Sequence, residues 1–153
     1  MHDHEYRTQL AWVGSTGIGY KAYGREHHVS APGTPSLALT SDPSFGGDAA
    51  VLNPEQLLVM AASSCQLLSF LAVCARAKVD VVRYDDDAHG LMPAVSSPMR
   101  LTAITLRPRI TVSGDVSAAR VAELVDEAHH GCFIANSLTT EVVVVPEIEV
   151  VAG

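Results

Sequence analysis

Nineteen consecutive residues without a charge, Leu57 to Ala75, follow directly on Asn53-Pro54-Glu55-Gln56, and no other stretch constrains the fold as strongly. Asn53 suits a helix N-cap, Pro54 the first helical position, and Gln56 the third-residue partner of a capping box. A helix is therefore predicted from Pro54 to about Lys78, with Arg76 and Lys78 at the negative end of its dipole. By length alone the segment qualifies as a membrane span. Ser63, Ser64, Gln66 and Ser69 argue against one, and a helix apolar all round is equally the core of a soluble protein. No membrane is expected. The helix offers more apolar surface than a small domain with few other helices can cover, so a second copy of the chain is expected against it.

The chain has 153 residues, which predicts a single domain, 1–153, able to bury a core without disulfide staples. Only 10 Lys and Arg residues stand against 17 Asp and Glu, a net charge of −7 that argues against nucleic acid as a partner. Small molecules or proteins fit better. The start, Met1-His2-Asp3-His4-Glu5, has no basic and apolar run of a secretory signal. Three cysteines, Cys65, Cys74 and Cys132, are too few and too unevenly spaced for a disulfide framework. A reducing cytoplasm with thiol chemistry is the expected setting.

Before the long helix, the pattern predicts a strand at Tyr6–Trp12, a turn at Gly14–Gly19 and a strand from about Tyr20 to Ser30. A turn at Ala31–Pro35, a short apolar piece at Leu37–Leu39 and a loop at Ser41–Asp48 follow. After the helix, Val79–Met92 and Arg100–Ser113 read as a hairpin with a long connection, and Pro108 suggests an edge or a bulge. Ser117 caps a second helix, Ala118 to His130, which Gly131 ends. A helical turn from Cys132 to Leu138 leads to a last strand, Glu141–Val151. This order predicts an α+β fold with mostly antiparallel pairing around a long buried helix.

The residues leave several chemistries open. A thiol on an apolar helix is an inert core residue unless a cation lowers its pKa, because the thiolate is the reactive form. At about 1.5 Å per residue, Glu55 and Cys65 lie roughly 15 Å apart on a regular helix, so the carboxylate cannot act on the sulfur directly. Cys74 reads as core packing, and Glu55 is also explained by the helix dipole alone. His27-His28, His129-His130 and His2/His4 invite a metal site, but adjacent histidines on a strand face opposite sides. No metal or other cofactor is expected. A cysteine hydrolase using Cys65 or Cys132 with His129 lacks an evident third residue or oxyanion loop.

Two motifs are more specific together. Asn53-Pro54-Glu55-Gln56-Leu57-Leu58 with Cys65 ten residues after the glutamate, and Ala128-His129-His130-Gly131-Cys132 followed by Asn136, resemble the OsmC/Ohr family. That family takes its names from osmotically inducible protein C and organic hydroperoxide resistance protein. The resemblance covers nearly the whole chain and implies an OsmC-like fold as an intertwined homodimer. It implies a cysteine peroxidase for organic hydroperoxides, with Cys65 peroxidatic and Cys132 resolving. Glu55 would orient an arginine against the Cys65 thiolate, and a dithiol, in the family a lipoyl group on a protein, would reduce the resulting disulfide. Ser44–Asp48 and Ser15–Gly19, where other branches carry the arginine, contain none. Arg25, in Tyr23-Gly24-Arg25-Glu26-His27-His28, is the expected cation, with Arg7 and Lys21 behind it. The rival expectation is a non-enzymatic small-ligand-binding protein on the same scaffold.

Overall fold

The computed structural model describes residues 2–153, and its contacts fall into two units, one ending at Leu57 and the other running Leu58–Gly153. The first unit holds an antiparallel sheet of β1 (Gln9–Ala11), β2 (His27–Ser30) and β3 (Leu37–Leu39), in the order β1-β2-β3. A parallel bridge joins Leu39 to Leu52. The strand expected from Tyr20 is shorter than predicted, because Tyr20–Tyr23 form a turn. Gly19 adopts a φ of 100°, a left-handed conformation open to glycine. Its carbonyl takes the N–H groups of Ala22 and Tyr23. The Arg25 side chain then binds the Tyr20 and Tyr23 carbonyls at 2.7 and 2.9 Å, so local hydrogen bonds override the β propensity of the tyrosines.

Helix α1 runs Pro54–Arg76 without a break. Its start is the capping box read from the sequence: the Asn53 N–H donates to Gln56 Oε1 at 3.0 Å and the Gln56 N–H to Asn53 Oδ1 at 2.9 Å. Its end is a Schellman turn, in which Lys78 takes a φ of 57° and the Val79 N–H reaches the Cys74 carbonyl at 2.9 Å. Asn53 is buried, so Asn53→Ala strips one helix donor of its acceptor where water cannot replace it. A loss of about 1–2 kcal/mol in urea denaturation is the expected result.

In the second unit the long hairpin is split. β4 (Asp80–Asp86) pairs with β7 (Pro108–Ser113), and β5 (His89–Leu91) with β6 (Ala103–Leu106). The final strand is also two, β8 (Glu141–Val144) and β9 (Glu147–Val151), interrupted at Val145-Pro146. β8 runs parallel to β6 and β9 parallel to β7, giving sheets β5-β6-β8 and β4-β7-β9. Most pairs are antiparallel, as expected, but these two parallel ladders are not visible in the periodicity. Pro108 is the first residue of a central strand, where its missing N–H costs no ladder bond, rather than an edge. The irregularity in this ladder lies instead between Val81 and Arg83.

Helix α2 (Ala118–His130) starts where Ser117 Oγ accepts the Arg120 N–H at 3.1 Å, and it is followed by the single turn α3 (Phe133–Asn136). Phe70, Val73 and Cys74 of α1 pack with Ile110, Val112, Val121, Leu124, Val125 and Ala128. A second cluster joins Ala62 to Ile104 and Leu106. Only one face of α1 is covered this way. Met60, Leu68 and Leu71, spaced to fall on one stripe, are 49%, 63% and 39% exposed. α1 is long and apolar enough to cross a membrane by length and composition.

Candidate active site

The second unit brings Cys65 and Cys132 together. Cys65 projects from the middle of α1 and is partly exposed, whereas Cys132 caps α3 and is buried. Both are free thiols, and the Cys65 sulfur lies near enough to act on the Cys132 thiol. Burial pushes the Cys132 thiol up. The N–H groups of Ala135 and Ile134 pull it partly back without closing a cap hydrogen bond, while the Cys65 sulfur adds to the rise. Cys132 is thus held as a neutral thiol beside a more accessible partner. Cys74 stands apart from this pair in the core, and its burial raises it to about 11, the signature of an unreactive thiol.

Cys132 is set in place by backbone bonds on both sides. Its N–H donates to the His129 carbonyl at 3.2 Å, and its carbonyl accepts from Asn136 N at 3.0 Å. The Asn136 side chain binds the His130 carbonyl at 3.0 Å, tying the end of α2 to α3. That gives the His-Gly-Cys and Asn136 motif a structural job. On the other side, the Ser63 hydroxyl donates to Asp86, whose second oxygen accepts the Arg107 N–H at 2.7 Å. Asp86 therefore links α1 to the point where the hairpin divides. Its role was missed in the sequence, although Tyr84 and Asp86 alternate onto one strand face.

The first unit contains a cavity of about 510 Å³ lined by Trp12, Tyr20, Tyr23, Phe45, Arg25 and Glu55 among others. The Arg25 guanidinium lies 4.1 Å from the Tyr23 ring centre and 4.8 Å from that of Tyr20. A Cβ on Gly46 would fall 2.8 Å from its central carbon, so the glycine leaves room for this position. Trp12 Nε1 donates to the Gly24 carbonyl at 2.9 Å and closes the cavity's aromatic wall. Arg25 and Glu55 share the cavity, but no ion pair joins them among the described residues. Arg7 is exposed and paired with Glu5, and Lys21 is exposed in a turn. Glu55 sits in the first turn of the unbroken α1, so the roughly 15 Å axial separation from Cys65 stands. Among the described residues, no three His, Cys, Asp or Glu side chains gather closely enough to hold a metal ion.

These features match a known group of proteins. The family described as OsmC-like protein matches residues 46–147. An OsmC-like protein of unknown function from Vibrio cholerae has the same fold with a TM-score of 0.86 and 28% identity, over 95% of this chain and all of the other. An organic hydroperoxide resistance protein OsmC from Legionella pneumophila superposes with a TM-score of 0.66 at 20% identity, covering 96% of this chain and 99% of that one. The organic hydroperoxide resistance protein OhrB of Bacillus subtilis gives 0.62 at 17%, covering 95% and 98%. No curated protein sequence matches the chain. The chain belongs to the OsmC-like protein family. At those lower identities the hydroperoxide resistance proteins speak for a shared fold alone.

Proposed function

We propose that the protein is a thiol-dependent peroxidase that reduces organic hydroperoxides, with Cys65 as the peroxidatic and Cys132 as the resolving cysteine. The observation that carries this reading is the pair of free thiols in reach of each other, one accessible and one buried. The Cys65 thiolate attacks the distal peroxide oxygen, the O–O bond breaks, and the alkoxide leaves as an alcohol after taking a proton. Cys65 becomes a sulfenic acid, which condenses with the Cys132 thiol to a disulfide and water. A dithiol, in this proposal a lipoylated protein in a reducing cytoplasm, returns both sulfurs to thiols. Membership of the OsmC-like family supports this reading.

The test is to treat the reduced protein with one equivalent of tert-butyl hydroperoxide and measure the alcohol, the thiols and the intact mass. One alcohol released, two thiols lost and two hydrogens missing from the mass are expected. Retention of all three thiols with the peroxide unconsumed would refute the reading. In that case the aromatic cavity favours the second reading, a small-ligand-binding protein.

Arg25 and Glu55 are proposed to activate the reaction, the guanidinium by its permanent charge and planar donors, the carboxylate by orienting it. Arg25→Ala should lower peroxide turnover by roughly ten- to a hundredfold, the effect of losing a charged hydrogen bond. Arg25→Lys should restore only part of it, because an ammonium lacks the fork. Steady-state turnover with a dithiol donor checks both, and an unchanged rate in Arg25→Ala would remove Arg25 from the mechanism.

A further inference from the structure

His27 opens β2 next to His28, the partner of Ala11, and its ring lines the cavity of the first unit together with Trp12. Its Nδ1 lies 2.8 Å from the Arg25 carbonyl oxygen. A carbonyl can only accept, so Nδ1 carries the hydrogen, and in the neutral ring Nε2 keeps a bare lone pair. Among the described residues nothing donates to that nitrogen.

Arg25 is the complement of this acceptor. Of the N–H donors that a guanidinium carries, one goes to the Tyr20 carbonyl at 2.7 Å and one to the Tyr23 carbonyl at 2.9 Å, and no carboxylate pairs with it among the described residues. Spare donors and a bare acceptor therefore share one cavity of about 510 Å³, whose wall also holds the rings of Trp12, Tyr20, Tyr23 and Phe45. A single O–H group meets both needs, since its oxygen accepts from the guanidinium while its hydrogen goes to the imidazole. A charged head group suits the cavity less, because a carboxylate meets Glu55 and Asp42 and an ammonium meets Arg25. Asp42 is already engaged, its Oδ1 accepting the Ser44 N–H at 2.7 Å.

We propose that the cavity binds a neutral, aryl-substituted ligand through a terminal O–H, that of an alcohol or a hydroperoxide, and that His27 Nε2 is the acceptor that selects it. The aryl ring packs against the aromatic wall. The proposal goes beyond the peroxidase reading and does not depend on it.

Trp12 is the only tryptophan of the chain and lines the cavity, so its emission reports occupancy. Titrating the protein with cumyl alcohol and with cumyl methyl ether changes nothing but the O–H. The alcohol should bind roughly tenfold more tightly, the effect of one hydrogen bond to an acceptor that the ether leaves bare. His27→Asn keeps an N–H at the Nδ1 position for the Arg25 carbonyl and places nothing at Nε2, so the preference should vanish. His27→Gln brings a carbonyl oxygen near the Nε2 position and should restore part of it. A role confined to packing would weaken both ligands alike in both variants and overturn the assignment. Equal affinities for alcohol and ether in the wild-type protein, or unchanged emission with either, would overturn the site itself, and a preference kept in His27→Asn would give the acceptor's role to Glu55 instead. No cysteine takes part in this measurement. The expected preference, with tert-butyl hydroperoxide left unconsumed, would leave the site standing and refute the peroxidase reading alone, whereas peroxide turnover with equal affinities would do the reverse.

Discussion

Cys65→Ser is expected to reduce peroxide consumption to the uncatalysed background, while Cys132→Ser completes one turnover and stops. The difference follows from the two positions. Cys65 is the accessible sulfur, and serine puts a weakly acidic hydroxyl with no useful anionic fraction in its place. Cys132 is buried and enters only after oxidation, so its loss leaves the first step intact and removes the thiol that would close the disulfide. Dimedone should then label Cys65 of Cys132→Ser stoichiometrically, read by peptide mass spectrometry. Label on Cys132 in the wild-type protein would reverse the two roles. Cys74→Ser should turn over normally, since that thiol lies in the core and burial keeps it protonated.

A homodimer of about 32 kDa, twice the 16.2 kDa chain, is the second expected result, read by light scattering. The proposal rests on what the single chain leaves bare. Met60, Leu68 and Leu71 form an apolar stripe along α1, and every residue of β1 is exposed, with Leu10 at 66%. A second copy of the chain would cover both, whereas a lone soluble chain would hold them in water. Burying one leucine contributes about 1.5–3 kcal/mol, and a two-fold interface counts it twice. Leu68→Asp should therefore weaken the dimer by at least about a hundredfold while the circular dichroism of the monomer remains native-like. A wild-type protein that scatters as a monomer at all concentrations would refute the interface.

The sequence by itself determined the elements whose causes are local. Asn53 and Gln56 cap α1 reciprocally, Ser117 starts α2 and Gly131 follows it, all within a few residues of chain. The same local signals located the α+β class, the uncharged helix and the two cysteine motifs. Other features were decided only by tertiary structure. Periodicity marks which face of a strand is apolar but not which strand it meets, so the parallel ladders β6–β8 and β7–β9 were not legible. Tyr20 and Tyr23 have strand-forming side chains, yet a positive φ at Gly19 and the Arg25 hydrogen bonds turn the chain there. The meeting of Cys65 with Cys132 depends on α1 and α3 being fixed by a core drawn from distant segments. The same core buries Cys132 and the Tyr84 hydroxyl, and burial is what raises both groups. Residue identity supplied the Cys132 thiol and the Tyr84 phenol, while desolvation, a property of the packed chain as a whole, keeps both protonated.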